Sequence, residues 1–577
     1  MESRRNRARI SLAVLTIFAI VTVFAVRLVD IQLVQASELN KISNDKLAQS
    51  LIKYGTRGPI IDSNGNILAS SVERYDITVS PRVVLGDHGL TDKVINAMNR
   101  IALITEQDPA TLISAITDDP TSDFAYLTKS VTLDVFHKVR DLEVPGVFFQ
   151  LRPSRTYPNG AIAGNLVGFI GTDGPQAGLE LTENECLKST DGSTSYEKGE
   201  DGVPLPGSLV TTKEPKNGGT LQLTIDRDLQ WYVQKRIAQT YKALGAEWAT
   251  AVVIRVKDGH LMAVADYPSV DPNNVDGVPN TALGSRAFSW AYEPGSTMKA
   301  ITAATLLDTG AATQTSHVVA PGRLYLSDGG FIKDSFSHDD LRLTLTGALV
   351  YSSNTGVSLL SKKVPASVRR DTMLRFGLNK ETEVGFNGES EGDVHPVDQW
   401  DERTNLAVQF GQGMTATSVQ MASAYQTLGN GGVRMPVTLV EGCTWPDGTV
   451  TDRPKTTGTR AVSESAAKKT VQIMEQVVNH GWASANLTIP GYRIAAKSGT
   501  AEVAENGIYG KKTVISFAGV APADNPEYAI VVTAGIPNKL YSSGAIASTF
   551  RDITSRVLTT FRVTPSTTRA PELPLTW

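Results

Sequence analysis

The sequence predicts a multidomain α/β (α+β) protein held behind one N-terminal transmembrane helix. Three observations carry the prediction. The 577 residues would fill several domains of roughly 150 residues each. An uncharged run, Ile10 to Val26, lies near the start of the chain. Near residue 220 a polar, turn-rich stretch gives way to regular strand and helix patterns.

The elements follow in order. Residues 1–9 carry Arg4, Arg5, Arg7 and Arg9 against Glu2. As a helix the apolar run behind them would be about 25 Å long, enough for the hydrocarbon core. Arg27 is placed to snorkel at the far interface, and Leu28 and Val29 extend the apolar face to give a span of 10–29. A cleaved signal peptide shares the basic start and apolar run, but RLVDIQLVQ follows with no small-residue cleavage site. The reading is an uncleaved, single-pass anchor in the cell membrane. Its arginines stay in the cytoplasm, which puts the bulk of the chain outside.

From Asp30 to about Ala48 the pattern reads as a helix leaving the membrane. RGPIIDSNGNILASS (57–71) reads as two strands around a turn at Asn64-Gly65. Residues 91–118 and 132–142 have helical periodicity, and 187–219 reads as a loop or exposed hairpin. LQLTID (221–226) opens a new strand and 227–244 a helix; AVVIRV and HLMAVAD make a hairpin around Asp258-Gly259. The expected layout is a cytoplasmic tail 1–9, the helix 10–29, a membrane-proximal domain 30–219 and a second domain 220–563. The stretch 564–577, with three prolines and four threonines, reads as a flexible tail.

Composition excludes several classes. Fifty-five basic against 59 acidic residues give a net charge of −4, which argues against a nucleic-acid binder. The first nine residues contribute +3 and the next seventeen nothing, so the remainder carries −7. Seven histidines without HExxH or paired spacing give no support for a metal site. Cys186 and Cys443 are 257 residues apart in different expected domains and read as separate thiols, although a disulfide is chemically allowed outside the cytoplasm.

Ser296 and Lys299 stand in EPGSTMKAITAATLL, where Pro294-Gly295 precede a helical apolar run. Helix positions i and i+3 share a face, so the amine can reach the hydroxyl. A neutral, desolvated lysine can take the serine proton and make it a nucleophile, and a helix N-terminus favours the developing negative charge. The spacing alone is weak, because SxxK recurs at Ser43, Ser50, Ser195 and Ser465. Ser352 and Asn354, in LVYSSNTGVSLL, form an SxN triplet at a helix start; the same triplet recurs at Ser484 and Asn486, and helix capping is its ordinary use. Lys497, Ser498, Gly499 and Thr500 lie in YRIAAKSGTAEV, which with VISFAGVAP and YAIVVTAG reads as three neighbouring antiparallel strands. The lysine and hydroxyls suit a carboxylate, and the glycine would let a substrate backbone come close.

Combination discriminates where single motifs do not. SxxK, SxN and K-[ST]-G occur in that order, 56 and 145 residues apart, the signature of penicillin-recognising serine acyl enzymes. The chain resembles class B penicillin-binding proteins, the monofunctional peptidoglycan D,D-transpeptidases, over nearly its full length. RGPIIDSNG (57–65), RTYPNG (155–160) and GLE (178–180) resemble motifs of that family's membrane-proximal pedestal. LTID (223–226), YPSVDPN (267–273) and FGQGMTATSVQMASAYQTLGNGG (410–432) resemble its transpeptidase domain. Ala496 and Trp482 depart from the usual pattern beside these motifs.

The resemblance implies a pedestal domain followed by a serine β-lactamase-like transpeptidase domain, with a central antiparallel sheet flanked by helices. It implies Ser296 as nucleophile toward stem peptides ending in D-Ala-D-Ala, and Lys299 as general base. Ser352 and Lys497 would shuttle the proton, Asn354 would orient the donor amide, and Ser498, Gly499 and Thr500 would bind substrate. The N–H groups of Ser296 and Thr500 would form the oxyanion hole. No cofactor or metal is called for, and β-lactam antibiotics would acylate the same serine. A β-lactamase would not need the anchor and pedestal, and a penicillin-sensing receptor would need a signalling domain. A bifunctional synthase would need a paired-glutamate pattern, and a purely structural scaffold would not need an intact triad. The compact pedestal and the YEPGSTMK context resemble division enzymes more than elongation enzymes. Such enzymes work with a SEDS-family glycosyltransferase and divisome membrane proteins.

Overall fold

The run Ile10–Val26 lies within one helix, Glu2–Val29, in the computed structural model of the chain, which describes residues 2–35, 48–197, 210–505 and 508–577. Its large apolar side chains stand exposed from Ile10 onward, and a helix apolar on all sides is a membrane span or a buried core helix. The stretch Asn6–Leu33 is long and apolar enough to cross a membrane. A short π turn, Asp30–Val34, continues it, with Asp30 accepting from Arg27 at 2.5 Å. Of the helix expected from Asp30 to Ala48, residues 36–47 lie outside the described residues, and Ala48–Lys53 is a strand. This strand pairs with Gly192–Glu197, which pairs with Val210–Lys213, all antiparallel. The turn-rich stretch thus contains two hairpin strands, with 198–209 outside the described residues. These elements belong to one unit, Met1–Thr56 with Ser189–Asn217; Arg57–Lys188 with Gly218–Trp577 makes the other.

In the second unit, Ile60–Ile61 and Ile67–Val72 pair across the Asn64-Gly65 turn, as expected, with Gly65 at φ 84°. Thr220–Leu223 lies parallel to Ile60–Ile61 and antiparallel to Val440–Thr444, in a six-stranded sheet. Strands from either side of residue 220 therefore share a sheet. They also share a core, in which Ile60, Leu166 and Leu179 pack in one cluster with Leu221, Val437 and Leu439. This pairing corrects the reading of the cysteines. Cys186 and Cys443 form a disulfide, Cα to Cα 6.0 Å, because the sheet sets Val440–Thr444 against the chain leading into Thr220. Gly219 passes directly beneath, where a Cβ would sit 2.5 Å from Cys443 Sγ.

The helical stretch 91–118 is two helices, Asp92–Thr105 and Pro109–Thr117, interrupted before Pro109; 132–142 contains Leu133–Arg140. Thr91, Asp108 and Thr132 cap their N-termini, each satisfying an amide the helix cannot. They cover a three-stranded sheet with its own core around Ile77, Met98, Ile101 and Leu112.

RGP, RTYPNG and GLE converge on one carboxylate. Glu180 is fully buried; its Oε2 accepts from Arg57 Nε at 2.7 Å and its Oε1 from Arg155 Nε at 2.6 Å. Arg57 also donates to the Glu180 carbonyl, and Arg155 to the Gly58 carbonyl. Asn273, from YPSVDPN, accepts from the Tyr157 amide and donates to its carbonyl.

The central sheet has five antiparallel strands in the order Leu261–Tyr267, Trp248–Arg255, Tyr528–Gly535, Ile508–Ala521, Ala495–Glu505. The expected hairpin and the three expected neighbours are all present. Successive residues point to opposite faces, and here both faces are buried. Ala251, Val253, Phe517 and Val532 pack with Leu229, Val233 and Ile237 of Arg227–Leu244 and with Phe550 and Ile553 of Ala547–Thr560. Val252, Ile254, Val520 and Val531 pack with Val419, Ala422 and Tyr425 of Ser418–Gly429 and Val471 of Glu464–His480.

The C-terminal stretch is docked rather than flexible. Thr344 donates from its amide to the Leu575 carbonyl at 3.0 Å and from its hydroxyl to the Pro574 carbonyl at 2.6 Å. Trp577 stacks on His317 at 4.5 Å, with Arg342 against its ring. Prolines that exclude helix leave the chain extended, and Leu573 and Leu575 reach an apolar cluster.

Candidate active site

Ser296 lies on a 3₁₀ turn, Gly295–Met298, that runs directly into the helix Lys299–Asp308. The turn is braced from behind. Gly295 donates to the Gly411 carbonyl at 2.9 Å, and Tyr425 donates its hydroxyl to the Thr297 carbonyl at 2.8 Å. Gly295 and Gly411 have φ of 56° and 79°, where L residues are strained. A Cβ on Gly411 would also run into the Gly295 backbone. The FGQG segment therefore seats the serine turn by backbone contact.

Lys299 points inward and is fully buried. Its Nζ donates to the Ser352 carbonyl at 2.5 Å and to Ser352 Oγ at 3.2 Å. Lys497, also buried, donates to the same Oγ at 3.0 Å and to the Ser498 carbonyl at 3.0 Å. One serine thus joins the two lysines. Burial holds the Lys299 amine well below the ordinary lysine range; the Lys497 charge lowers it further, and Asp334 works the other way. Burial brings Lys497 down to about 7. Both amines are thereby moved toward the neutral form that can take up a proton.

The SxN triplet opens the helix Asn354–Ser361, but Ser352 does not cap it. Ser353 does, its Oγ accepting from the Gly356 amide at 2.9 Å. Ser352 is left at φ 56° with its hydroxyl on the lysines. Asn354 Nδ2 donates to the Lys333 carbonyl at 2.9 Å. The KSGT residues form part of the sheet's edge strand, Ala495–Glu505. Gly499 is needed for internal packing, since a Cβ there would meet Ser516 Oγ and lie 2.7 Å from the Pro294 carbonyl.

A cleft of about 430 Å³ is lined by Ser296, Ser352, Asn354, Ser498 and Thr500, with Trp482 and Tyr541 among its other walls. Lys299 and Lys497 lie beneath it, so the structure brings every motif side chain to one place. The other SxxK copies are set apart by geometry. Ser50 and Ser195 are register partners on paired antiparallel strands, not on a helix; Lys468 is paired with Glu464; Ser43, and the Lys198 of the Ser195 copy, lie outside the described residues. Two features were not foreseen. Trp482 lines the same cavity as the motif residues. Asp334 holds the start of the Asn354 helix, its Oδ1 accepting from the amides of Asn354 at 2.5 Å and Thr355 at 3.0 Å. In sequence nothing separates Asp334 from Asp339 or Asp340.

Comparison with known proteins agrees with this geometry. Residues 249–555 match the penicillin binding protein transpeptidase domain and residues 52–223 the penicillin-binding protein dimerisation domain. The chain is 31% identical to penicillin-binding protein PbpB of Mycolicibacterium smegmatis, over 97% of this chain and 91% of the relative. It is 32% identical to peptidoglycan D,D-transpeptidase FtsI of Escherichia coli K12, over 88% and 84%. The crystal structure of penicillin binding protein 3 from Mycobacterium tuberculosis complexed with aztreonam superimposes with a TM-score of 0.71 at 27% identity, covering 91% of this chain and all of that one. The chain belongs to the penicillin-binding protein transpeptidases, in the class B form that carries a dimerisation domain, and is a serine-type peptidoglycan D,D-transpeptidase of the FtsI/PbpB type.

Proposed function

We propose that this chain crosslinks peptidoglycan stem peptides through an ester on Ser296, in septal wall synthesis. The observation that carries the reading is the buried chain of hydrogen bonds from Lys299 through Ser352 to Lys497, beneath a cleft lined by Ser296. Ser296 Oγ attacks the penultimate D-Ala carbonyl, and Lys299 takes its proton. The N–H groups of Ser296 and Thr500 stabilise the oxyanion. As the C–N bond breaks, Ser352 and Lys497 pass a proton to the departing D-Ala amine. Asn354 orients the donor amide, Ser498 and Thr500 hold the terminal carboxylate, and Gly499 lets the substrate backbone come close as well as keeping the strand seated. An amine of a neighbouring stem peptide then attacks the ester and releases Ser296. A β-lactam mimics the donor: its ring amide opens on the same oxygen, giving a stable acyl-enzyme. Ser296→Ala should abolish labelling by a fluorescent penicillin, and mass spectrometry should place the adduct on Ser296; labelling that survives refutes the nucleophile.

The remaining assignments belong to the same proposal. Residues 1–9 are cytoplasmic, 10–29 span the membrane, and 30–219 and 220–563 are the pedestal and transpeptidase domains outside it. The chain acts with a SEDS-family glycosyltransferase and divisome membrane proteins. The 32% identity to the E. coli FtsI protein supports the division role. Depletion should give filaments without septa; rounded cells would point to elongation instead.

A further inference from the structure

Ser352 has to stay between two lysines while its own backbone sits in the left-handed region, at φ 56°. A serine there is strained by an amount the surroundings must offset. Much of the restraint comes from outside the three motifs. The first-turn amides of the Asn354–Ser361 helix have no partners within the helix. Ser353 takes Gly356, and a single carboxylate oxygen, Asp334 Oδ1, takes both Asn354 and Thr355. Asp334 is itself 3% exposed. Its other oxygen faces His338 Nε2 at 3.0 Å, and His338 Nδ1 lies 2.6 Å from the Asp339 carbonyl. The neighbouring Lys333 carbonyl accepts from Asn354 Nδ2. Asn354 is thus tied to residues 333–334 by backbone and side chain alike.

We infer that Asp334 is a positioning residue of the transpeptidase centre: its buried carboxylate, clamped by His338, fixes the Ser352–Asn354 turn and so holds the Ser352 hydroxyl between Lys299 and Lys497. This rests on the proposed roles of Ser352 and the lysines. The carboxylate has a second effect through space. The charged groups acting on the Lys299 amine are Lys497, which lowers its proton affinity, and Asp334, which raises it. Neutralising Asp334 at constant shape should therefore leave Lys299 unprotonated down to a lower pH.

The test measures the rate of acylation of the full-length, detergent-solubilised chain by a fluorescent penicillin across a pH series. In Asp334→Ala the two amides lose their acceptor, and acylation should slow by about 10–100-fold, the scale seen when a group that only orients site residues is removed. Asp334→Asn keeps one acceptor oxygen and the shape, so it stays measurable if the alanine variant does not fold. Its acid limb should move to lower pH relative to the unmodified chain. A purely structural role would lower the rate without moving the limb. An unmoved acid limb in Asp334→Asn, or an alanine variant that acylates at the unmodified rate, overturns the inference. Failure of the underlying reading shows separately, as labelling that survives Ser296→Ala.

Discussion

Removing the Glu180 carboxylate should open the pedestal locally, and the structure sets the scale. Its side chain is 0% exposed, and the two arginines bound to it are 15% and 6% exposed. Truncation to alanine would leave two buried guanidinium groups without a counter-charge, and breaking such a pair from one side costs about 3–5 kcal/mol. Either arginine alone should matter less, because Glu180 keeps the other; a hydrogen bond to a charged group contributes about 1.5–3 kcal/mol. Tyr157 adds little, its hydroxyl lying 3.4 Å from Oε1. The assay is hydrogen-exchange mass spectrometry on peptides covering 57–72 and 178–188. Since a cost of this size enters the local opening equilibrium, Glu180→Ala should speed their exchange by about a hundredfold or more. Arg57→Met with Arg155→Met and Glu180→Met together should be far milder than Glu180→Ala, because no charge is left unpaired. If the triple variant exchanges as fast as the single one, the cost is packing and the charge argument is wrong.

Three further outcomes follow from the geometry. Cys186→Ser with Cys443→Ser should cost about 2–5 kcal/mol, as removal of a native disulfide does in small secreted domains, read as a lower urea midpoint; an unchanged midpoint would mean the shared sheet holds without its staple. Lys497→Met should abolish penicillin acylation yet raise thermal stability. Between about pH 7 and the ordinary lysine range the unfolded chain binds a proton that folded Lys497 does not, so unmodified stability rises with pH through that window. The gain from methionine should accordingly be largest below about pH 7 and shrink toward pH 10; a gain independent of pH contradicts the burial argument. Gly499→Ala should slow acylation and lower the melting temperature together, because the added methyl meets Ser516 and Pro294 behind the strand. Slowed acylation at unchanged stability would refute the packing role and leave only the substrate-facing one.

Local patterns carried much of the fold. The helix expected at 227–244 runs from Arg227 to Leu244, capped by Asp226 and ended by left-handed Gly245. The KSGT strand and its two neighbours were visible as short apolar runs with turns between them. Patterns of one or a few residues did less well. Ser352 and Ser353 are indistinguishable as caps in sequence, and only the fold gives capping to one and the lysines to the other. The C-terminal stretch looked like a tail because proline and threonine dominate it, while Leu573, Leu575 and Trp577, alternating as in an extended chain, held the contrary signal.

The order of three short motifs, the apolar run at the N-terminus and the periodicity of the sheet and its helices were all determined by the sequence alone. Each depends on residues close together in the chain, where backbone geometry dictates which side chains share a face. The tertiary structure alone decided the Cys186–Cys443 pairing, the sheet shared across residue 220, the docking of Trp577 and the hold of Asp334 on the Ser352–Asn354 turn. Each joins positions whose separation along the chain says nothing of their distance. Such contacts form because a buried amide, thiol or ring must find a partner once water is excluded, and that partner is known only when the core has closed.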